Sequence, residues 1–274
     1  GILNLSLDGK IDSVIDSIHA GERPNIVIGE AEITINGELK KDEFEFYQTS
    51  QQVKGSYKVE NGKVSYFFKG QYAHGSRPDE GINAAWHCLN FIGAAYKDEF
   101  AQKTAALLAD WRGSHLNIKA YGSHMGYLSM NLGVVHIKDS NAHLVLDIRY
   151  PNVTDADTIT SHIKDAFKAV NSPLNVKLIQ NKDYLFVNPK STLVSTLETI
   201  YRDFSGDQET PLLTMGGGTY ARAFKNFVAF GAEFPTRERP SWVGQVHQAD
   251  EGYEIEQFLL ATAIYAKAIV ELTQ

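Results

Sequence analysis

The sequence predicts an α+β chain of the α/β layer type. Two split-βαβ halves occupy residues 1–185, each with helices on one face of an antiparallel sheet, and a shorter α/β segment follows over 186–274. Three observations carry this reading. Short runs alternate apolar and polar residues, the longer runs between them have helical spacing, and the joints hold turn dipeptides such as Asn61-Gly62.

Residues 2–7 alternate as a half-buried strand, and 31–35 repeat the pattern up to Asn36-Gly37. Residues 39–52 have helical spacing. Residues 57–64 form a hairpin around Asn61-Gly62, whose second arm, 64–71, carries Tyr66, Phe67 and Phe68. Residues 79–97 give the clearest helix, with Ile82, Trp86, Leu89 and Gly93 on one stripe. A second helix covers 100–111. Strands 127–137 and 142–149 are joined through Asp139-Ser140-Asn141. Thr154 is a plausible N-cap for a helix to 170, with Asp155 and Asp157 in its first turn. Residues 174–180 close this part as a strand. Beyond Asn188-Pro189 the pattern gives a helix at 193–204, a strand at 211–215 feeding a glycine turn, a helix start at Tyr220 or Ala221, and a strand at 226–230. The final helix, 254–272, has an expected buried side of Ile255, Phe258, Leu259, Thr262, Ala266 and Ile269. The order suggests a doubled unit, although no sequence repeat is evident.

The 274 residues, 43% hydrophobic and 22% charged, suit two domains with a substantial core. A net charge of −7 with no basic block argues against nucleic acid or an anionic membrane as partner. Cys88 is the single cysteine, so no intrachain disulfide forms, which suits a reducing compartment. No signal-peptide pattern opens the chain and no apolar run approaches the ~18 residues of a membrane span. A cytoplasmic location is the expectation.

Four stretches can carry chemistry. In Met215-Gly216-Gly217-Gly218-Thr219 the glycines let backbone amides approach an anion, and Thr219 can cap or contact it; the alternative is a sharp turn needing positive φ. His247, near Asp250 and Glu251, is either a metal ligand or a surface residue, and one histidine cannot hold a metal alone. His74 lies in the polar loop Ala73-His74-Gly75-Ser76-Arg77-Pro78, where it can donate to a carbonyl or oxyanion or be a plain loop residue; Ser76 and Asp79 can be capping residues. Arg149, at a strand end, can clamp a carboxylate or pair with Asp147 or a helix acid, and Asn25 after Pro24 reads as a turn residue. The other seven histidines show no ligand spacing, and Cys88 beside His87 is expected to be buried.

Taken in order, residues 70–85, 146–151, 215–222 and 246–251 resemble the aminoacylase/carnosinase metallopeptidases, most closely the bacterial PepV-type dipeptidases (Xaa-His dipeptidase, carnosinase-like). The resemblance spans nearly the whole chain. It implies a lid domain at 1–185, made of two ferredoxin-like halves, and the C-terminal portion of an α/β zinc-peptidase-like catalytic domain at 186–274. His247 then matches a metal-binding histidine and His74 a lid histidine that steadies the tetrahedral oxyanion. Arg149 and Asn25 match lid residues around the substrate carboxylate. Gly217, Gly218 and Thr219 match a loop that meets the substrate's C-terminal end.

The resemblance also implies two zinc ions, with manganese or cobalt as alternatives, and a dipeptide substrate. The family's His-x-Asp and Glu-Glu ligand motifs do not occur in the chain. A two-metal hydrolase needs ions about 3.5–4 Å apart and a base beside the bridging water. The expectation is therefore that an N-terminal catalytic segment is missing and that the chain alone is inactive. The intact enzyme is expected to be a monomer, while the isolated chain self-associates. The rival expectation is a non-enzymatic ferredoxin-like binding or dimerisation module.

Overall fold

A computed structural model describes residues 1–224, 226–231, 233–244 and 250–274. The described chain divides into two compact units, Gly1–Tyr184 and Leu185–Gln274. Among the described residues no helix is long and apolar enough to cross a membrane.

The first unit is built on one eight-stranded sheet with antiparallel neighbours throughout. Its strands are β1 (Ile2–Lys10), β2 (Ile15–Ala20), β3 (Glu30–Ile35), β4 (Lys54–Glu60), β5 (Lys63–Lys69), β8 (Ser129–Lys138), β9 (Asn141–Arg149) and β10 (Asn175–Lys182). Strands β6 (Tyr121–Gly122) and β7 (Gly126–Tyr127) make a separate small hairpin. The sheet order is β10-β1-β9-β8-β2-β3-β5-β4.

Read outward from the β2–β8 seam, the two halves match. β2, β3, β5 and β4 stand where β8, β9, β1 and β10 stand on the other side. Helix α1 (Lys41–Gln51) joins β3 to β4, and α4 (Ala156–Ala169) joins β9 to β10. Strand β1, from the start of the chain, fills in one half the place that β5 fills in the other. The fold is thus α+β with a topological repeat.

Alternation fixes which face is buried. Leu3, Leu5 and Leu7 of β1 are fully buried, while Asn4, Ser6 and Asp8 point to the opposite face. Helices α1, α2 (Ala84–Tyr96), α3 (Glu99–Leu107) and α4 contribute to the same core as Leu3, Leu5 and Leu7. Phe91 of α2 sits at its centre, 5.2 Å from Phe44 and 4.8 Å from Tyr66, both in edge-to-face contact. Cys88 is fully buried there, and burial raises its thiol pKa well above the usual range. Tight turns close the hairpins: Asn61 and Gly62 both have positive φ, as do Asp139 and Ser140.

Several elements differ from expectation. Strand β2 is absent from the sequence reading. The clearest predicted helix begins at Ala84, not 79. Pro78–Glu80 form a 3₁₀ turn, Ile82 bridges Gln71 in extended backbone, and the Asn83 side chain caps α2 by accepting from Trp86 N at 3.1 Å. Helix α4 is capped by Asp155, which accepts from Thr158 N at 2.8 Å, instead of by Thr154.

The second unit holds α5 (Thr192–Ser205), a 3₁₀ turn at Tyr220–Ala223 in place of the expected helix, and α6 (Ile255–Leu272). The expected strands at 211–215 and 226–230 run as irregular chain, because no neighbouring strand pairs with them among the described residues. The buried stripe of α6 is Ala261, Ile264 and Ala268, packed in one cluster with Leu197 and Ile200 of α5. Ile255, Phe258, Leu259, Thr262, Ala266 and Ile269, the expected inner side, are all exposed, Ile255 at 76%. The helix is apolar nearly all round, so its sequence period does not choose a face, and two alanines flanking Ile264 permit the closer helix contact.

His87 of α2 is buried against Tyr47, with its Nδ1 3.0 Å from the Tyr47 hydroxyl, and burial pushes its pKa down to about 4. A base whose pKa falls on folding binds more protons when unfolded, so its stabilising effect is complete above the unfolded value near 6.5 and is lost as pH falls from there to about 4. That shift corresponds to about 3 kcal/mol. Denaturant titrations across this range should show a loss of that order, and His87→Gln should flatten it. An equal slope in wild type and variant would refute the assignment.

Candidate substrate-binding site

The polar face of the sheet carries registered rows of side chains. Ile2, Arg149 and Ser129 lie opposite one another on β1, β9 and β8, and Asn4, Asp147 and Asn131 form the next row. Asp147, Asn131 and Ser129 are buried at 1%, 2% and 4% exposure. Buried polar groups at this density must find partners, and these do.

Asp147 organises the first cluster. Its Oδ2 accepts from Arg149 Nε at 2.9 Å and lies 2.8 Å from Nη2, while its Oδ1 accepts from Asn4 Nδ2 at 2.7 Å. The Arg149 side chain is 12% exposed. Pairing with Asp147, one of the two readings of Arg149, is thus realised. It holds a guanidinium at the end of β9 in one orientation, which a carboxylate-binding role also requires.

Asn131 positions a second segment. Its Nδ2 donates to the Pro24 carbonyl at 2.8 Å and to the Ile26 carbonyl at 2.9 Å, so it straddles Asn25. The β8–β9 register shifts between Leu132 and Val134, and at Gly133 an added Cβ would lie 2.2 Å from the Pro24 carbonyl oxygen. Glycine is required there because the 24–26 backbone crosses in contact with the strand. Asn25 itself is exposed.

The His74 loop is fastened to the same segment. Ile26 and His74 form an isolated antiparallel bridge, Val27 N donates to the Ala73 carbonyl at 2.9 Å, and Gly75 N to the Asn25 carbonyl at 2.7 Å. Ser129 Oγ, buried opposite Arg149, donates to the Ser76 carbonyl at 3.3 Å. The His74 ring is exposed, and its Nδ1 lies 2.7 Å from Ser76 Oγ and 3.1 Å from Ser76 N. Asn25, His74 and Arg149, dispersed in sequence, are therefore linked through Asn131, Ser76 and Ser129 at one end of the polar face.

The sequence reading missed Asn4, Ser129 and Asn131, gave Asp147 only as an ion-pair partner, and gave Ser76 only as a possible cap. The available signal was polar side chains inside otherwise apolar strands.

Gly217, Gly218 and Thr219 lie in the second unit. None of the three has positive φ, an added Cβ at Gly217 meets nothing within 4 Å, and Thr219 precedes the 3₁₀ turn without a side-chain cap bond. The positive-φ explanation of the glycines is therefore not met. His247 lies outside the described residues. Among the described residues no three His, Cys, Asp or Glu side chains group to hold a metal ion, so they do not by themselves fit a zinc centre.

No protein-family model matches the chain. It is similar along nearly its whole length to bacterial proteins named as dipeptidases. It is 31% identical over 272 residues to "Putative dipeptidase YtjP" of Bacillus subtilis (strain 168), an alignment covering 96% of this chain and 56% of that protein. A Staphylococcus aureus (strain USA300) protein with the same descriptive name is 28% identical over 274 residues, covering 95% and 56% respectively. The chain spans about half the length of the curated relatives it matches.

Asp147→Ala would remove the buried carboxylate to which Arg149 and Asn4 both donate. Removing one partner of a buried ion pair costs about 3–5 kcal/mol. Equilibrium unfolding should show a loss of that size for Asp147→Ala. A change under about 1 kcal/mol would mean that the pair is not the anchor described.

Proposed function

We propose that the chain is part of a dipeptide hydrolase of the PepV type. In this reading its first unit is the lid and its second the C-terminal portion of the catalytic domain. The observation that supports this most is the gathering of Asn25, His74 and Arg149 at one end of the sheet, in a chain similar to proteins named as dipeptidases. In this reading the three serve a dipeptide's terminal carboxylate and its scissile carbonyl.

Arg149, oriented by Asp147, binds the substrate's terminal carboxylate, with Asn25 lining the same pocket. His74 donates a hydrogen bond to the carbonyl oxygen of the scissile bond as that oxygen gains charge. Gly217, Gly218 and Thr219 meet the C-terminal end of the substrate. The proposal includes metal dependence, with zinc as the ion and manganese or cobalt as alternatives. His247 is the one ligand proposed from this chain, and the remainder come from residues of a longer protein. A metal centre supplies an activated water and a polarising charge in such hydrolases. The 274-residue chain alone is proposed to be inactive, and the active protein to work as a monomer in the cytoplasm.

The test is steady-state kinetics of the longer protein with dipeptides, alongside metal analysis. Losing one oxyanion donor lowers kcat about 10²–10³-fold, so His74→Ala should do this with bound metal unchanged. His247→Ala should lose metal. A His74→Ala defect fully explained by metal loss would sink the oxyanion role, and no dipeptide turnover in a metal-loaded wild type would sink the reading as a whole.

A further inference from the structure

The Ser76 N–H can only donate, and it points at His74 Nδ1 from 3.1 Å, while the Ser76 hydroxyl sits 2.7 Å from the same nitrogen. With Nδ1 as acceptor both contacts are compatible. With a proton on Nδ1, only the hydroxyl can respond, by accepting, and the backbone N–H is left facing another N–H. The first arrangement therefore prevails in the neutral ring, and its proton resides on Nε2.

Ser76 is itself restrained. Its carbonyl accepts from the buried Ser129 hydroxyl at 3.3 Å, and Ser129 lies directly across from Arg149 in the β8–β9 register. Arg77 N closes the loop by donating to the His74 carbonyl at 2.8 Å.

We infer that Ser76 is a positioning residue that fixes His74 as an Nε2–H donor, and that Ser129 ties this donor to the strand register holding Arg149. The catalytic consequence rests on the reading of His74 as an oxyanion donor. The tautomer itself does not. An imidazole whose Nδ1 is occupied by two fixed donors presents a single N–H outward, with little freedom to present a lone pair to the substrate oxygen instead.

Ring ¹⁵N NMR of the 274-residue chain, at a pH where the His74 imidazole is neutral, reads the tautomer without any assay. Wild type should show Nε2 protonated and Nδ1 bare. Ser76→Ala, which removes the hydroxyl but keeps the backbone N–H, should retain this tautomer, whereas Ser76→Pro, which removes the N–H, should show a mixture of tautomers. In the longer protein, Ser76→Pro should lower kcat roughly ten- to a hundredfold with KM nearly unchanged, while Ser76→Ala should stay close to wild type. A wild-type ring protonated on Nδ1, or a Ser76→Pro variant matching wild type in both tautomer and kcat, would overturn the inference. Should His74→Ala leave turnover intact while wild type keeps the Nε2–H tautomer, the oxyanion reading fails and the assignment of Ser76 stands.

Discussion

The candidate site depends on the antiparallel seam between β2 and β8. His74 and Asn25 belong to one half of the sheet, and Arg149 belongs to the other. Four registered pairs, Ser17 with Lys138, Ile18 with Ile137, His19 with His136 and Ala20 with Val135, hold the halves together. A slip of one residue would turn Ile18 and Ile137 out of the core. Immediately beyond the seam, the bulge at Gly133 admits the Pro24 backbone, and Asn131 clamps the carbonyls on either side of Asn25. The seam, the bulge and the clamp together convert a topological repeat into a single asymmetric site.

Electrostatics then fix orientation within that frame. The Asp147–Arg149 pair is nearly dehydrated, so its geometry is held because separating the partners would leave the buried Asp147 carboxylate without its matching charge. Asn4 completes the carboxylate's hydrogen bonding from the neighbouring strand. Such a network adds little net stability compared with an apolar core, but it specifies direction, which a binding guanidinium needs.

Much of this fold is legible in the sequence because alternation and helical spacing agree with turn chemistry at Asn61-Gly62 and Asp139-Ser140. Strand β2 is not, because a register irregularity between Ile15 and Ser17 breaks its period of two. Helix α6 is legible as a helix but not as a face, since apolar residues surround it. The site is legible only as separate candidates: Asn25 reads as a turn residue and His74 as a loop residue until Asn131 and Ser129, side chains of a distant strand, bring them together. These contacts span 53 to 107 positions in sequence, beyond the reach of any local pattern.

The second unit exposes Ile255, Phe258, Leu259 and Ile269 along α6. The most direct measurement of the whole account is a crystal structure of the longer protein bound to a phosphinic dipeptide analogue, whose tetrahedral oxygen mimics the hydrolytic intermediate. The account predicts the analogue's carboxylate on Arg149 and its tetrahedral oxygen within hydrogen-bond distance of His74 Nε2. An analogue bound with neither group engaged would contradict it.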